Sequence, residues 1–70
     1  MSATELSALL WRERELLELL IFKLEEEQLL LTAGKTRWIQ HATREVEQVM
    51  NKLRESGLSR TVAVAELALE

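Results

Sequence analysis

The stretch LTAGKT over residues 31–36 ends in the Gly-Lys-Thr of a phosphate-binding loop. Such a loop reads G-x-x-x-x-G-K-[ST] and follows a buried strand. Leu29 stands where the first glycine is required, and residues 16–31 are rich in Glu and lack the alternation of a strand. The spacing therefore argues against phosphate binding, and the Gly-Lys-Thr sequence needs another explanation.

His41 and Glu45 stand four residues apart, so one face of a helix could offer two metal ligands. Structural zinc takes four protein ligands and catalytic zinc usually three, and the chain has no other His and no Cys. The acidic run 25–27 wraps around a helix, which predicts a solvated band of carboxylates. We therefore predict no metal site and no cofactor.

Basic residues could hold a substrate with two carboxylates, as in the small all-helical chorismate mutases. The residues that could do so here are Arg12, Arg14, Lys23, Lys35 and Arg37. However, Arg12 and Arg14 point about 200° apart on a helix, and Lys23 lies in an acidic stretch. No Ser, His and carboxylate grouping suggests a nucleophilic triad either. We predict that the protein is not an enzyme.

The composition favours one small domain built from long helices. The chain has 70 residues, no Pro, two Gly, 47% apolar and 30% charged residues. Its core must be thin, which makes self-association a plausible source of stability. The net charge of -3 disfavours nucleic acid and anionic lipid as partners. The absence of a leader and of an apolar run near ~20 residues predicts a cytoplasmic protein without membrane insertion.

The first helix is predicted over residues 4–33, with Ser2 or Thr4 as its N-cap. Gly34 follows where a left-handed C-terminal cap is favoured, because glycine adopts that conformation without a Cβ penalty. Lys35 can meet the negative end of the helix dipole, and Thr36 can cap the next helix. LTAGKT thus reads as a turn between helices, at residues 34–36.

A second helix is predicted over residues 37–56, ended by Gly57, with Ser59 capping a short third helix over 59–69. Apolar residues at alternating three- and four-residue spacing form a coiled-coil seam: Ile39, Ala42, Val46, Val49 and Leu53. The first long segment is acidic and the second is basic, which favours antiparallel pairing. The predicted fold is all-α, an antiparallel helical hairpin with a short C-terminal helical segment.

The first helix has more apolar surface than one neighbour can bury. One broad sector, expected to face the second helix, contains Leu6, Leu9, Leu10, Leu16, Leu17, Leu20, Ile21, Leu24 and Leu31. On the opposite side lie the residues that we predict to bind protein: Trp11, Leu19, Phe22, Leu29 and Leu30. We expect this side to pair with a second copy, as a dimeric four-helix bundle, or with a client helix. The alternative is that these are ordinary scattered surface side chains.

The segment LEEEQLLLTAG over residues 24–34, followed by Arg37-Trp38 and by ATREVE over 42–47, resembles the N-terminal helical hairpin of FlgN-type flagellar export chaperones. That family shows a long Leu/Glu helix, a short L-x-A-G turn and a returning helix rich in Glu and small apolar residues. The resemblance covers residues 6–58, and the segment AGKTRWIQHATREVE over 33–47 carries most of its specificity.

The resemblance implies a cytoplasmic chaperone that keeps hook-filament junction proteins soluble for flagellar type III secretion. Its partners would be amphipathic helices of these clients, shielded by complementary apolar stripes. Family members are usually longer, with a client-binding helix toward the C-terminus, which implies a fragment or a member with a shortened tail. The alternative function is a homo-oligomeric coiled-coil scaffold, which needs the same features.

Overall fold

The computed structural model describes residues 2–69, which form two α-helices, α1 over Ala3–Thr32 and α2 over Thr36–Leu69. Contacts join Glu13 to Arg60 and Lys23 to Glu45, so residues further along α1 meet residues earlier in α2. The helices are therefore antiparallel, and the predicted helical hairpin is confirmed. The hairpin is a rod with Cα extents of 54 × 14 × 11 Å.

Local capping sets both ends of α1. The Ser2 hydroxyl accepts a hydrogen bond of 3.2 Å from the Glu5 backbone N–H. At the other end, Gly34 has a φ of 68°. Its N–H donates to the Leu31 carbonyl at 3.1 Å, and the Lys35 N–H donates to the Leu30 carbonyl at 2.9 Å. This pair of bonds is the Schellman motif, which satisfies the last carbonyls of the helix.

The second helix begins at Thr36, so Thr36 is its first helical residue and not the preceding cap that we expected. The bond observed at this end runs from the Trp38 N–H to the Lys35 carbonyl, at 3.0 Å. Lys35 thus serves both helices, since its N–H closes α1 and its carbonyl opens α2.

The predicted break at Gly57 is wrong, because α2 continues through it to Leu69 and no separate third helix forms. An interior glycine costs a helix about 0.5–1 kcal/mol. Packing beyond Gly57 offsets that cost: Ala63 is 0% exposed, and Arg60 Nε donates to Glu13 at 2.8 Å. Ser59, expected to cap a new helix, lies inside α2.

The core is a single seam between the helices, with side chains at alternating three- and four-residue spacing on both. The α1 positions, all buried or half-buried, are Leu6, Leu9, Glu13, Leu16, Leu20, Lys23, Glu27 and Leu30. The α2 positions are Ile39, Ala42, Val46, Val49, Leu53, Ser56, Arg60, Ala63 and Leu67. The five residues predicted for the α2 seam are confirmed, and the repeat is that of a coiled coil.

Polar side chains interrupt this seam and fix its register. Lys23 donates to Glu45 at 2.7 Å, and Thr43 donates to Glu27 at 3.2 Å. Ser56 is 8% exposed, and its Oγ is the buried side-chain atom without a hydrogen-bond partner among residues 2–69. Ionic and polar layers of this kind favour one register over slipped alternatives, at the expense of apolar burial.

The acidic run is only partly the solvated band that we expected. Glu25 is exposed, but Glu26 and Glu27 are half-buried. Glu26 lies 3.8 Å from the Lys23 ammonium, and Glu27 accepts the Thr43 hydrogen bond. Of these carboxylates, Glu27 contacts α2, whereas the contact of Glu26 is with Lys23 of its own helix.

The broad apolar sector of α1 extends beyond the contact with α2, as the sequence predicted. The residues of that sector that remain exposed are Leu10 at 49%, Leu17 at 48%, Ile21 at 58%, Leu24 at 46% and Leu31 at 56%. The reason is geometric, since a two-helix contact covers only the narrow stripe of the three-four repeat. These five residues lie beside that stripe.

Candidate protein-binding faces

The side of α1 that points away from α2 exposes large apolar side chains. Trp11 is 60% exposed, Phe22 55% and Leu29 69%. Spacings of eleven and seven residues each leave a rotation of about 20° on a helix, so these side chains follow one line along α1. We call this line, with the adjoining Leu19 at 38% exposure, the outer face.

A shallow apolar groove lies at the turn end of the outer face. Its volume is about 460 Å³, and its lining residues are Phe22, Glu25, Glu26, Leu29, Leu30 and Ala33. The structure thus brings together Phe22, Leu29 and Leu30 of the predicted binding residues. Carboxylates of Glu25 and Glu26 border the groove, so it offers an apolar floor with an acidic margin.

Trp11 lies apart from this groove, near the free end of the hairpin. The Arg14 guanidinium stacks 5.4 Å from the centroid of its ring, and it also lies 3.5 Å from the Glu18 carboxylate. A depression beside the ring is lined by Ser7, Leu10, Trp11 and Arg14. The outer face therefore carries two separate aromatic side chains, Trp11 near the free end of the hairpin and Phe22 in the groove.

Leu30 differs from the other predicted binding residues, because it is half-buried and occupies the last seam position of α1. Its side chain borders both the seam and the groove. A substitution at Leu30 would therefore disturb the hairpin as well as the outer face, whereas Phe22 and Leu29 can be changed without touching the core.

A second apolar surface lies along one broad side of the hairpin, and the sequence analysis did not separate it from the seam. It consists of Leu10, Leu17, Leu24 and Leu31 of α1 with Met50 and Val64 of α2, and we call it the leucine face. Thr43, seven residues before Met50, contacts Glu27 of α1, which places this row of α2 beside α1. The feature of the sequence that indicates the leucine face is the leucine at every seventh position of α1.

The opposite broad side is charged. Lys23 there contacts Glu45 at 2.7 Å and Glu26 at 3.8 Å. The hydrogen bond to Glu45 raises the pKa of Lys23, and the charges of Glu26 and Glu45 act in the same direction against the effect of desolvation. A cleft further along this side is lined by Leu9, Arg12, Lys52, Glu55, Ser56 and Ser59.

His41, one of the two conceivable metal ligands, is exposed, and its ring lies 5.8 Å from that of Trp38. Glu45, the other, is engaged by Lys23. Among residues 2–69 no group of three or more His, Cys, Asp or Glu side chains has the arrangement of a metal site. Arg37, one of the basic residues considered for an anion site, stacks on Trp38 at 4.8 Å.

Neither described helix has the length of apolar sequence that crossing a bilayer requires. The apolar residues of the outer and leucine faces are interspersed with charges along the whole of α1. The outer face is thus a stripe on α1, and the leucine face combines a stripe of α1 with Met50 and Val64 of α2.

The chain matches the family model described as FlgN protein over residues 1–70, its whole length. The chain belongs to the FlgN family. Searches of curated proteins and of solved structures gave no match. FlgN proteins are a family of flagellar chaperones.

Proposed function

We propose that this chain is a cytoplasmic export chaperone for flagellar type III secretion, with hook-filament junction proteins as its clients. The observation that carries the proposal is the excess of exposed apolar side chains on α1 of a FlgN-family hairpin. A chaperone of amphipathic helices needs such stripes, because each buries the apolar face that a client helix would otherwise expose.

The outer face supports client binding best. Phe22, Leu29 and Leu30 form the groove, and Trp11 supplies a large amphipathic ring at the other end. Binding of an amphipathic helix in such a groove uses side chains spaced three, four and seven residues apart, and Phe22 and Leu29 have the seven-residue spacing. Aromatic side chains are common among residues that dominate binding energy. Leu19 borders this surface.

The test is titration of the purified chain with helical segments of hook-filament junction proteins, followed by calorimetry. Phe22→Gln with Leu29→Gln is expected to weaken binding at least ~10-fold, since two half-exposed side chains lose apolar burial. Gln28→Ala is a matched control because Gln28 is exposed on another side of α1. Unchanged affinity in the double variant, with unchanged helicity, would contradict client binding at the outer face.

A homo-oligomeric coiled-coil module is the second candidate function, and the leucine face favours it. Its row of leucines at every seventh position continues over most of α1 and is half exposed. We propose that the chain self-associates into a dimeric four-helix bundle, either as the chaperone's working form or as a scaffold. Absence of junction-protein binding by a well-folded dimer would favour the scaffold.

A further inference from the structure

The leucine face has two parallel rows. In α1 a leucine occurs at every seventh position from Leu10 to Leu31. In α2 the row on the same side of the hairpin consists of Thr43, Met50, Gly57 and Val64. Each leucine follows one seam position by four residues and another by one, so it points about 70° away from the direction of α2. The leucines thus point between α2 and the open side of the hairpin. In a four-helix bundle that direction leads to the central core.

We propose that a second copy of this chain covers the leucine face, with α1 of each copy packed antiparallel on α2 of the other. The proposal rests on the self-association suggested above and names its surface and orientation. It differs from the expectation drawn from the sequence, which placed the second copy on the side of Trp11 and Phe22. Both hairpins contribute the same surface, so the interface is isologous and closed.

Charge complementarity favours this orientation. The α1 helix carries seven Glu against Arg12, Arg14 and Lys23, whereas basic residues slightly outnumber acidic ones in α2. Stacking α1 on the partner's α2 therefore sets an acidic helix against one with a slight excess of basic residues. The alternative, α1 against the partner's α1, sets two acidic helices side by side. Antiparallel neighbours also align their helix dipoles favourably.

The shapes of the two rows also fit each other. The seam contacts Lys23–Glu45 and Glu13–Arg60 place Met50 between the heights of Leu17 and Leu24, and Gly57 between the heights of Leu10 and Leu17. A Cβ built at Gly57 meets nothing within 4 Å, so the α2 row has a gap there. Leucines of the partner's α1 can enter this gap as knobs enter holes in a coiled coil.

The area is sufficient for a specific dimer. From Leu10 to Leu31 the row extends about 32 Å, and two helices side by side are about 20 Å wide. Two copies would then bury roughly 1,200 Å² in total, which reaches the range of ~1,200–2,000 Å² for specific interfaces. The outer face points away from this interface, so Phe22 and Leu29 stay open to a different partner.

Sedimentation equilibrium of the full chain, without any client, tests the proposal. The wild type is expected to be a dimer, and Leu17→Gln with Leu24→Gln is expected to weaken the dimer at least ~100-fold, because both copies lose both side chains. Phe22→Gln with Leu29→Gln is the matched control, and its dimerisation should change less than about threefold. A helical wild-type monomer at ~100 µM, or greater weakening in the control, overturns the proposal.

Thiol cross-linking keeps the test decisive even when the double variant unfolds on dissociation. The chain has no Cys, so single cysteines are unambiguous. A mixture of Leu17→Cys and Met50→Cys copies treated with a short cross-linker is expected to give more covalent dimer than either copy alone. A mixture of Phe22→Cys and Met50→Cys copies is the control. Equal cross-linking in the control would place the second copy on another face. Because no client is present, neither result bears on client binding.

Discussion

The two glycines of the chain occupy unlike backbone conformations. Gly34 has a φ of 68° and closes α1, whereas Gly57 lies within α2 with ordinary helical geometry. Glycine is required only at the first, where a Cβ would clash with the chain's own backbone. At the second, glycine lowers the stability of the helix in the single hairpin, where the space around it is open.

Substitution of the two glycines by alanine should therefore have opposite effects. Gly34→Ala is expected to destabilise the hairpin by about 1–2 kcal/mol, because a left-handed conformation is strained for alanine. Gly57→Ala should stabilise it by about 0.5–1 kcal/mol through helix propensity. Urea unfolding of dilute protein measures both. Destabilisation by Gly57→Ala would indicate that α2 breaks at this residue in solution.

The raised pKa of Lys23 predicts how stability depends on alkaline pH. The ammonium is held by Glu45 and Glu26, so its stabilising contribution is complete below the unfolded pKa of about 10.4 and is lost as pH rises through the higher folded pKa. The melting temperature should therefore fall as the pH rises above about 10.4. The melting temperature of the Lys23→Gln variant should fall less over this pH range. An equal fall in Lys23→Gln would show that Lys23 is not responsible.

At the scale of the helix, α1 and α2 differ in how many of their apolar side chains are buried between the two helices. The α2 seam residues Ala42, Val46 and Val49 are buried, and most other residues of that helix's first half are polar. In α1 only Leu16 is buried among the residues that the structure describes, while apolar side chains occupy the outer and leucine faces as well. A helix that is apolar on several sides is normally surrounded by more than one neighbour.

The α2 seam can be tested by a charge in its centre. Val46 is 8% exposed, so Val46→Asp would bury an unpaired carboxylate, at a cost of several kcal/mol, and should unfold the hairpin. Gln48→Asp introduces the same side chain two residues away at an exposed position, where the effect should stay within ~0.5 kcal/mol. Circular dichroism melts compare them. A folded Val46→Asp variant would show that the assigned seam is wrong.

At the scale of the whole molecule, one seam with charged layers is a small core for a rod 54 Å long. Few of its large side chains are buried, and none is completely enclosed among residues 2–69. A partner that binds only the folded hairpin therefore adds to its stability by mass action. A second copy on the leucine face and a client on the outer face would each do so.

The melting temperature should consequently rise with protein concentration. Dimerisation shifts the equilibrium toward the folded state as the chain is concentrated, by several degrees over a hundredfold range for a domain of this size. The variant with Leu17→Gln and Leu24→Gln should melt at a temperature that does not depend on concentration. Scanning calorimetry or circular dichroism at two concentrations is sufficient, and a concentration-independent wild type would contradict self-association.

The Trp11→Glu variant tests client binding separately from the folding of the whole molecule. Trp11 is 60% exposed and lies outside both the seam and the leucine face, so its replacement should leave the melting temperature and the dimer nearly unchanged. Binding of junction-protein segments should weaken about 10-fold if the ring is an anchor of the outer face. Loss of helicity in this variant would mean that Trp11 packs within the hairpin instead.

The amino-acid sequence determined what depends on neighbouring residues: the helical composition, the turn at Gly34, the spacing of the α2 seam and the surplus of leucine on α1. Each follows from local conformational preference or from helical periodicity. Tertiary packing decided the rest. Gly57 stays helical because Arg60 and Ala63 contact α1, and a glycine cannot carry that information itself. Likewise, Leu6 lies in the seam and Leu10 does not. The two side chains differ by about 40° of rotation around α1, and only the position of α2 decides which of them is buried.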